Sequence, residues 1–275
     1  MIGKNKEVVN VIQEFVSTKR QENDIVNKII RDDVFAMLEK QCVVLYYPLS
    51  DDKVEGCHII KPLGNGVEQF VFINTTKEVQ EQTWTAAHEL GHVWEVDSYV
   101  KHMLNRYDLN SEDLVNRFAA ELLLPQEIFH EELRKRLIEY GYKGPKMQED
   151  IMVRLVTYLM NYFCTPYKAI IRRFIELDYI DEDAEETFLK GFEGQRSLYD
   201  RLIIENQYTR LRSANKACSM EAIEQDINLL EQNGIFSDKK IARLREMFRL
   251  EKAKANLGGL YTWGMADGQS DKSGN

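Results

Sequence analysis

The chain has 275 residues, of which 44% are apolar, 29% charged and 10% aromatic, so its composition is that of an ordinary globular protein. Its formal net charge of −9 argues against nonspecific binding to DNA or to acidic membranes. The apolar runs are far shorter than the roughly 20 residues that a membrane-spanning helix needs. We find neither a signal-peptide pattern at the N-terminus nor a CxxC pair, and we therefore expect a cytoplasmic protein with reduced thiols.

The first 40 residues carry apolar side chains at helical spacing, from Val8 to Leu38. This spacing predicts two helices, or one bent helix, with a weak point at residues 19–23. Three short apolar segments follow and predict a small, mostly antiparallel sheet with strands Cys42–Tyr47, Gly56–Lys61 and Glu68–Asn74. A Gly-Asn-Gly sequence stands between the last two segments and is typical of a hairpin turn.

From Val79 onward the chain shows only helical patterns. The predicted helices are Gln82–Val96, Ser111–Leu124, and residues 126–139, 148–162, 166–178, 183–193, 197–215, 219–233 and 238–257. The composition favours a linker between Gly141 and Pro145 and a disordered tail rich in Gly, Ser and Asp. We therefore divide the chain into residues 1–143, a helical region at residues 144–263 that regulates the first part or binds substrate, and a tail at residues 264–275.

The segment with the most chemical information is His88-Glu89-Leu90-Gly91-His92. Histidines four residues apart lie on one face of a helix, where both imidazoles can bind a single zinc ion. The glutamate beside the first histidine can accept a proton from metal-bound water. A chain of this composition contains about 0.01 such patterns by chance. Apolar neighbours on most sides predict that both imidazoles are partly buried, where a metal ion would be a suitable partner.

A catalytic zinc ion usually has three protein ligands, so the third should come from a second segment. Glu112 is the nearest candidate, because it begins a predicted helix and shares a face with Asn116 one turn later. Acids are favoured in the first turn of any helix by the macrodipole, so spacing alone leaves the choice open. The alternatives are His102, Asp113 and Glu121.

The order and spacing of these motifs resemble the ImmA/IrrE family of metallo-endopeptidases. That family shows a strand ending in Ile-Asn, a helix reading (F/W)TxAHELGH and a helix reading ExxANxFAxxLLxP. The corresponding segments of this chain are Phe72–Asn74, Trp84–His92 and Glu112–Pro125. Val115 replaces the usual alanine and Leu124 a common methionine, and both substitutions are apolar.

The resemblance covers roughly residues 40–130. It implies that one Zn²⁺ per chain is bound by His88, His92 and Glu112, with Glu89 as the catalytic base. It also implies an α+β fold, in which a mainly helical zincin-like domain with a small three-stranded sheet is followed by an all-helical C-terminal region. The implied activity is site-specific cleavage of a partner protein, a helix-turn-helix repressor of a phage, a mobile element or a stress response.

Two questions stay open at this point. The residue that stabilises the oxyanion could be Tyr99, His102 or Tyr107, which lie between the two motifs. The chain could also be a non-proteolytic, metal-stabilised regulator that binds a repressor or DNA through its helical half.

Residues 148–180 have the pattern of a helix-turn-helix, with Thr165 as the N-cap of the second helix and Pro166 at its start. The second helix carries three basic residues, Lys168, Arg172 and Arg173. Counted over residues 146–180, the net charge is only about +1, which is weak for a protein that reads DNA. We therefore favour a helical hairpin that packs on the peptidase part. The later helices have apolar spacing that suits a bundle for a partner or a cover for the active site.

His58 stands beside Cys57 on a predicted strand and could suggest a Cys/His dyad. Adjacent residues of a strand face opposite ways, so we reject that interpretation. Free cysteines with apolar neighbours are usually buried packing residues.

Overall fold

A computed structural model describes residues 5–25, 28–48, 53–63, 66–142, 144, 148–212, 227–228, 231–232 and 237–247, and the structural statements below concern these residues. The chain divides into two compact units, residues 1–217 and residues 218–275. Within the described ranges we find no helix with the length and hydropathy needed to cross a membrane.

Helices dominate the first unit, as the sequence predicted. They are α1 (Lys6–Glu22), α2 (Asp33–Glu39), α3 (Val79–Val93), α4 (Val96–Leu104), α5 (Ser111–Leu123), α6 (Gln126–Glu139), α7 (Glu149–Phe163), α8 (Tyr167–Glu176), α9 (Glu185–Gly194) and α10 (Arg196–Glu205). Short 3₁₀ helices lie at Glu182–Ala184 and Thr209–Arg212. The second unit contains α11 (Asp238–Met247). The α+β fold class, with a small sheet in a mainly helical domain and a helical region after it, is confirmed.

The three predicted strands form one sheet in the order β1-β3-β2, with β1 at Val43–Tyr47, β2 at Gly56–Leu63 and β3 at Gly66–Asn74. The hairpin between β2 and β3 is antiparallel, as its turn sequence predicted. The sheet is nevertheless mixed, because β1 pairs with β3 in parallel. Placing β3 in the centre leaves β2 as an edge strand, and this edge lies next to α3.

Close packing of α3 on α5 sets the geometry of the first unit. A Cβ atom at Gly91 would lie 2.8 Å from Val115 Cγ1 and 2.9 Å from Phe118 Cδ1, so only glycine permits this approach. Ala119 and Ala120 on α5 are also buried, in agreement with the expectation that small residues bring the two helices together. The result is that residues in the first turns of α5 lie beside the last turns of α3.

The segment between α3 and α5 is more ordered than the sequence suggested. It contains α4, which was not predicted, bounded by Glu95 and Asn105 with left-handed φ values of 53° and 51°. The left-handed residue at position 95 ends α3 earlier than expected. At the other end, α3 begins earlier than expected, and the Glu81 carboxylate accepts the backbone N–H of Glu78 there at 3.1 Å.

The helical hairpin of the C-terminal half is present as α7 and α8. Cys164 turns the chain with a φ of 56°, and α8 begins at Tyr167 with Pro166 as its N-cap. The predicted N-cap, Thr165, is instead buried in the turn, where its backbone N–H donates to Met160 O at 3.3 Å. The division of the chain near residue 143 stays a prediction. The predicted tail and most of the predicted helix at residues 219–233 lie outside the described residues.

Candidate metal centre

Three side chains from two helices converge at one point of the first unit. The Nε2 atoms of His88 and His92 on α3 lie 3.1 Å apart. The Glu112 carboxylate on α5 lies 3.2 Å from the first imidazole nitrogen and 3.4 Å from the second. Two ligands about 2.0–2.1 Å from a tetrahedral ion are roughly 3.3 Å apart, so these spacings fit a single zinc-sized ion. Across the described ranges, this is the one group of three or more His, Cys, Asp or Glu residues whose ligand atoms are so close together.

The sequence of each helix explains the convergence. The two histidines are one helical turn apart and therefore share a face of α3. Glu112 is in the first turn of α5, where the macrodipole favours a carboxylate. Gly91 lets α5 approach α3 further along, at Val115 and Phe118. The two imidazoles are about four-fifths buried, whereas the Glu112 side chain is 63% exposed. The cluster is thus open to solvent on one side, as a site for an incoming ligand requires.

A hydrogen bond fixes the orientation of the first imidazole. His88 Nδ1 lies 3.0 Å from Asn116 Oδ1, one turn after Glu112 on α5. Because the amide oxygen accepts, Nδ1 carries the proton and Nε2 directs its lone pair into the cluster. Burial, followed by the nearby His92, lowers the pKa of His88 and favours the neutral form that binds metals.

Glu89 directly follows His88 on α3 and is buried, with 6% of its surface exposed. Burial, followed by the charge of Glu112, raises the pKa of Glu89 to about 7. Gly56 at the start of β2 lies beside it, because a Cβ atom there would be 3.4 Å from Glu89 Oε1. Glycine is required at this position by Thr85 Cγ2 and Phe72 O, which would lie 2.5 Å and 2.7 Å from that Cβ atom. A carboxyl group that titrates near neutral pH can both accept and return a proton.

Sequence reasoning missed a further imidazole near the cluster. The His58 ring on β2 is stacked alongside the His92 ring, with centroids 6.4 Å apart. Its Nε2 lies 2.9 Å from Gln69 Oε1 on β3, and burial lowers its pKa. Strand alternation separates the His58 side chain from Cys57, but the sequence does not reveal which face of the sheet meets α3.

The other candidate ligands lie elsewhere. His102 is exposed on α4, and Asp113 lines a neighbouring cavity. Glu121 accepts hydrogen bonds from Nη1 and Nη2 of Arg173 in the interior. These positions make Glu112 the carboxylate that the structure brings to the two histidines.

The three residues considered as oxyanion stabilisers share the segment around α4. Tyr99 packs its ring against Phe15, with centroids 4.8 Å apart. Tyr107 is 69% exposed after the end of α4, and His102 is also exposed. Their role stays a prediction.

Comparison with known proteins bears directly on this cluster. Residues 39–142 match the family model described as Peptidase_M78, the IrrE N-terminal-like domain. The match spans the sheet, α3 and α5, and so includes every residue of the cluster and Glu89. No curated protein matches the chain.

Proposed function

We propose that the chain is a zinc endopeptidase that makes site-specific cuts in a partner protein, because residues 39–142 match the IrrE N-terminal-like domain of a metal-dependent peptidase family. The convergence of His88, His92 and Glu112 within 4.8 Å of one another carries this proposal. Two imidazoles and one carboxylate are the ligand set of catalytic rather than closed structural zinc sites.

His88, His92 and Glu112 would hold the ion. When bound, zinc supplies a positive charge that polarises the scissile carbonyl group and lowers the pKa of water. Asn116 keeps the Nε2 lone pair of His88 directed at the cluster. The exposed side of Glu112 leaves room for a peptide carbonyl to approach. The same ligand set also accepts other first-row divalent ions, so the identity of the metal belongs to the proposal.

Glu89 would act as the base and then as the acid. Its carboxylate accepts a proton from the attacking water as the water oxygen bonds to the carbonyl carbon. The same proton passes to the amide nitrogen as the C–N bond breaks, so the reaction consumes one water and leaves Glu89 as it began. Burial supports this role, because it holds the pKa of Glu89 near 7 in the described structure. His58 is a further candidate for contact with the developing oxyanion, since its ring lies alongside His92.

We propose a cytoplasmic helix-turn-helix repressor as the substrate, as the family resemblance suggests. The chain's own helical hairpin is poorly suited to read DNA itself. Arg173 on α8 is fully buried, and Arg172 pairs with Glu185 at 3.0 Å. This leaves α8 with less exposed positive charge than its sequence suggests.

The Glu89→Gln variant tests the proposed reaction. Wild-type and variant proteins, both loaded with zinc, are incubated with the repressor encoded nearest to the gene, and new N-termini are identified by mass spectrometry. We expect one discrete cut by the wild type and a loss of at least about 100-fold in the variant, with unchanged zinc content. Glu127→Gln removes an exposed carboxylate on α6 and serves as the matched control.

Equal cleavage by Glu89→Gln and wild type would contradict the role of Glu89. A repressor that is bound by the wild type but stays intact would support the alternative, a non-proteolytic regulator.

A further inference from the structure

A cavity of about 350 Å³ lies beside the candidate metal centre. Its walls come from α3, α5, α8, α9 and the residue that precedes β2. Asn116 joins the cavity to the metal centre, because it lines the cavity and also hydrogen-bonds His88. The cavity is within the size range of binding pockets in proteins and is large enough for a long side chain.

Acids outnumber bases in the lining of this cavity, five to three. Two ion pairs neutralise part of this charge: Arg172 with Glu185 at 3.0 Å, and Arg117 with Glu176 at 3.3 Å. The remaining charged side chains are Glu55, Glu81, Asp113 and Lys168. These four side chains give the lining of the cavity a net charge of −2.

The negative charge lies close to the reacting groups. Asp113 follows Glu112 directly in the first turn of α5. Glu55 precedes Gly56, the residue whose backbone passes beside the Glu89 carboxylate. Both acids are exposed, and the ion pairs found in the described part of the chain include neither of them. They are therefore available to a cation that approaches the metal centre.

An aromatic side chain, Trp84, lines the same cavity as these carboxylates. Trp84 is half-buried in the lining, one helical turn before His88 on the same face of α3. An indole ring attracts ammonium and guanidinium groups through its π-face and also packs against the methylene stem of Lys or Arg. A carboxylate alone would bind any cation, whereas the indole favours a cation on a long apolar stem.

We propose that this cavity binds a lysine or arginine side chain of the protein substrate, within two residues of the scissile bond. This inference rests on the proposed peptidase function and adds its specificity. Glu55 and Asp113 would pair with the charged head, and Trp84 would contact the stem. Substrates with an acidic residue at the same position would be repelled by the two carboxylates.

The experiment uses the full-length, zinc-loaded protein and a library of peptides from a digested proteome. Cleaved bonds are identified by mass spectrometry, and peptide pairs with Lys or norleucine at the enriched position give the ratio of their kcat/KM values. We expect Lys and Arg to be enriched at one position beside the cut. We expect the Lys-to-norleucine ratio to fall about fivefold or more in Glu55→Gln/Asp113→Asn, because two ion pairs at exposed groups are lost.

The matched control is Glu14→Gln/Glu127→Gln, which removes two exposed carboxylates from α1 and α6, outside the lining. Its ratio should equal that of the wild type. A ratio is used because a change in metal affinity would alter both peptides equally. Cleavage without Lys or Arg enrichment, or a ratio unchanged in the double variant, would overturn the specificity and leave the peptidase function standing. If no library peptide is cut, the cleavage site in the repressor decides: a site without Lys or Arg within two residues would overturn the specificity, and an intact repressor would overturn both.

Discussion

Glu89 and Glu121 are both buried, with 6% and 4% of their surface exposed, yet their electrostatic surroundings are opposite. Burial and the charge of Glu112 raise the pKa of Glu89 to about 7. Burial also tends to raise the pKa of Glu121, but the charges and hydrogen bonds of Arg173 and Arg117 outweigh it and hold that pKa below its ordinary value. The same residue type thus has a raised pKa in one region and a lowered pKa in the other, because the charges around it differ.

The two regions differ in the groups that surround each glutamate. Glu121 belongs to an interior cluster in which Arg173 also donates to Leu124 O and to Glu176. That cluster is neutralised within the protein and joins α5 to α8. At the candidate metal centre, by contrast, the ligand atoms of two imidazoles and one carboxylate lie within 4.8 Å of one another. The first region therefore joins two helices through internal ion pairs, whereas the second presents the type of ligand atoms that hold metal ions.

The largest expected effect comes from breaking the interior cluster. Arg173→Met leaves Glu121 buried without its bidentate partner, and we expect the free energy of unfolding to fall by about 3–5 kcal/mol. Arg172→Met on the same helix removes a partly exposed pair and should cost at most about 1 kcal/mol. Urea unfolding of the two variants measures both values. Equal losses would show that the interior cluster has no special structural role.

The next largest effect concerns the stabilisation of the fold by zinc at the candidate metal centre. Zinc at about 100 times its Kd should stabilise the wild type by about 2.7 kcal/mol, because only the folded state holds the complete ligand set. His92→Ala should lose this stabilisation, whereas His102→Ala should keep it, since His102 is exposed on α4 away from the cluster. Thermal unfolding with and without a chelator measures the difference. A response to zinc in His92→Ala equal to that of the wild type would place the ion elsewhere.

A smaller effect concerns the orientation of His88. Asn116→Ala removes the acceptor for Nδ1 and should weaken zinc affinity about 10- to 100-fold. Asn116→Asp retains an acceptor and should restore most of the affinity, which a merely structural role of Asn116 would not explain. Competition with a chromogenic chelator measures the three affinities.

The smallest expected effect is a pH dependence of the free energy of unfolding. Burial raises the pKa of Glu121 and the two arginines lower it, so only a partly cancelled, lowered pKa remains. A lowered pKa in the folded state stabilises the fold above the ordinary carboxyl pKa, and this contribution is lost as pH falls through the lowered value. Arg173, Arg117 and Glu176 are the charged groups that surround it. We expect Glu121→Gln to flatten the acid limb of the stability curve, as followed by urea unfolding at several pH values. If the acid limb is the same in Glu121→Gln and in the wild type, the loss of stability at low pH arises from other carboxylates.

Local signals in the sequence predicted much of this architecture. Helical periodicity located α6 at residues 126–139 and α5 to within one residue, and the Gly-Asn-Gly turn indicated the β2–β3 hairpin. The spacing of His88 and His92 predicted their shared face. These features depend on neighbours within one or two turns, so the sequence alone is sufficient to find them.

Features that depend on tertiary contacts could not be found in the same way. The parallel pairing of β1 with β3 depends on where the chain crosses the sheet. The approach of His58 to His92 depends on which face of the sheet meets α3. The basic residues of α8 suggested a charged surface. Arg173 is instead buried, and its guanidinium group donates a hydrogen bond to the buried Glu121.

The most direct test of the account is the metal content of the purified protein after chelation and refilling with zinc, measured by inductively coupled plasma mass spectrometry. We predict one zinc ion per chain in the wild type and none in His88→Ala/His92→Ala. Wild-type protein that takes up no stoichiometric divalent ion while remaining folded would contradict the account.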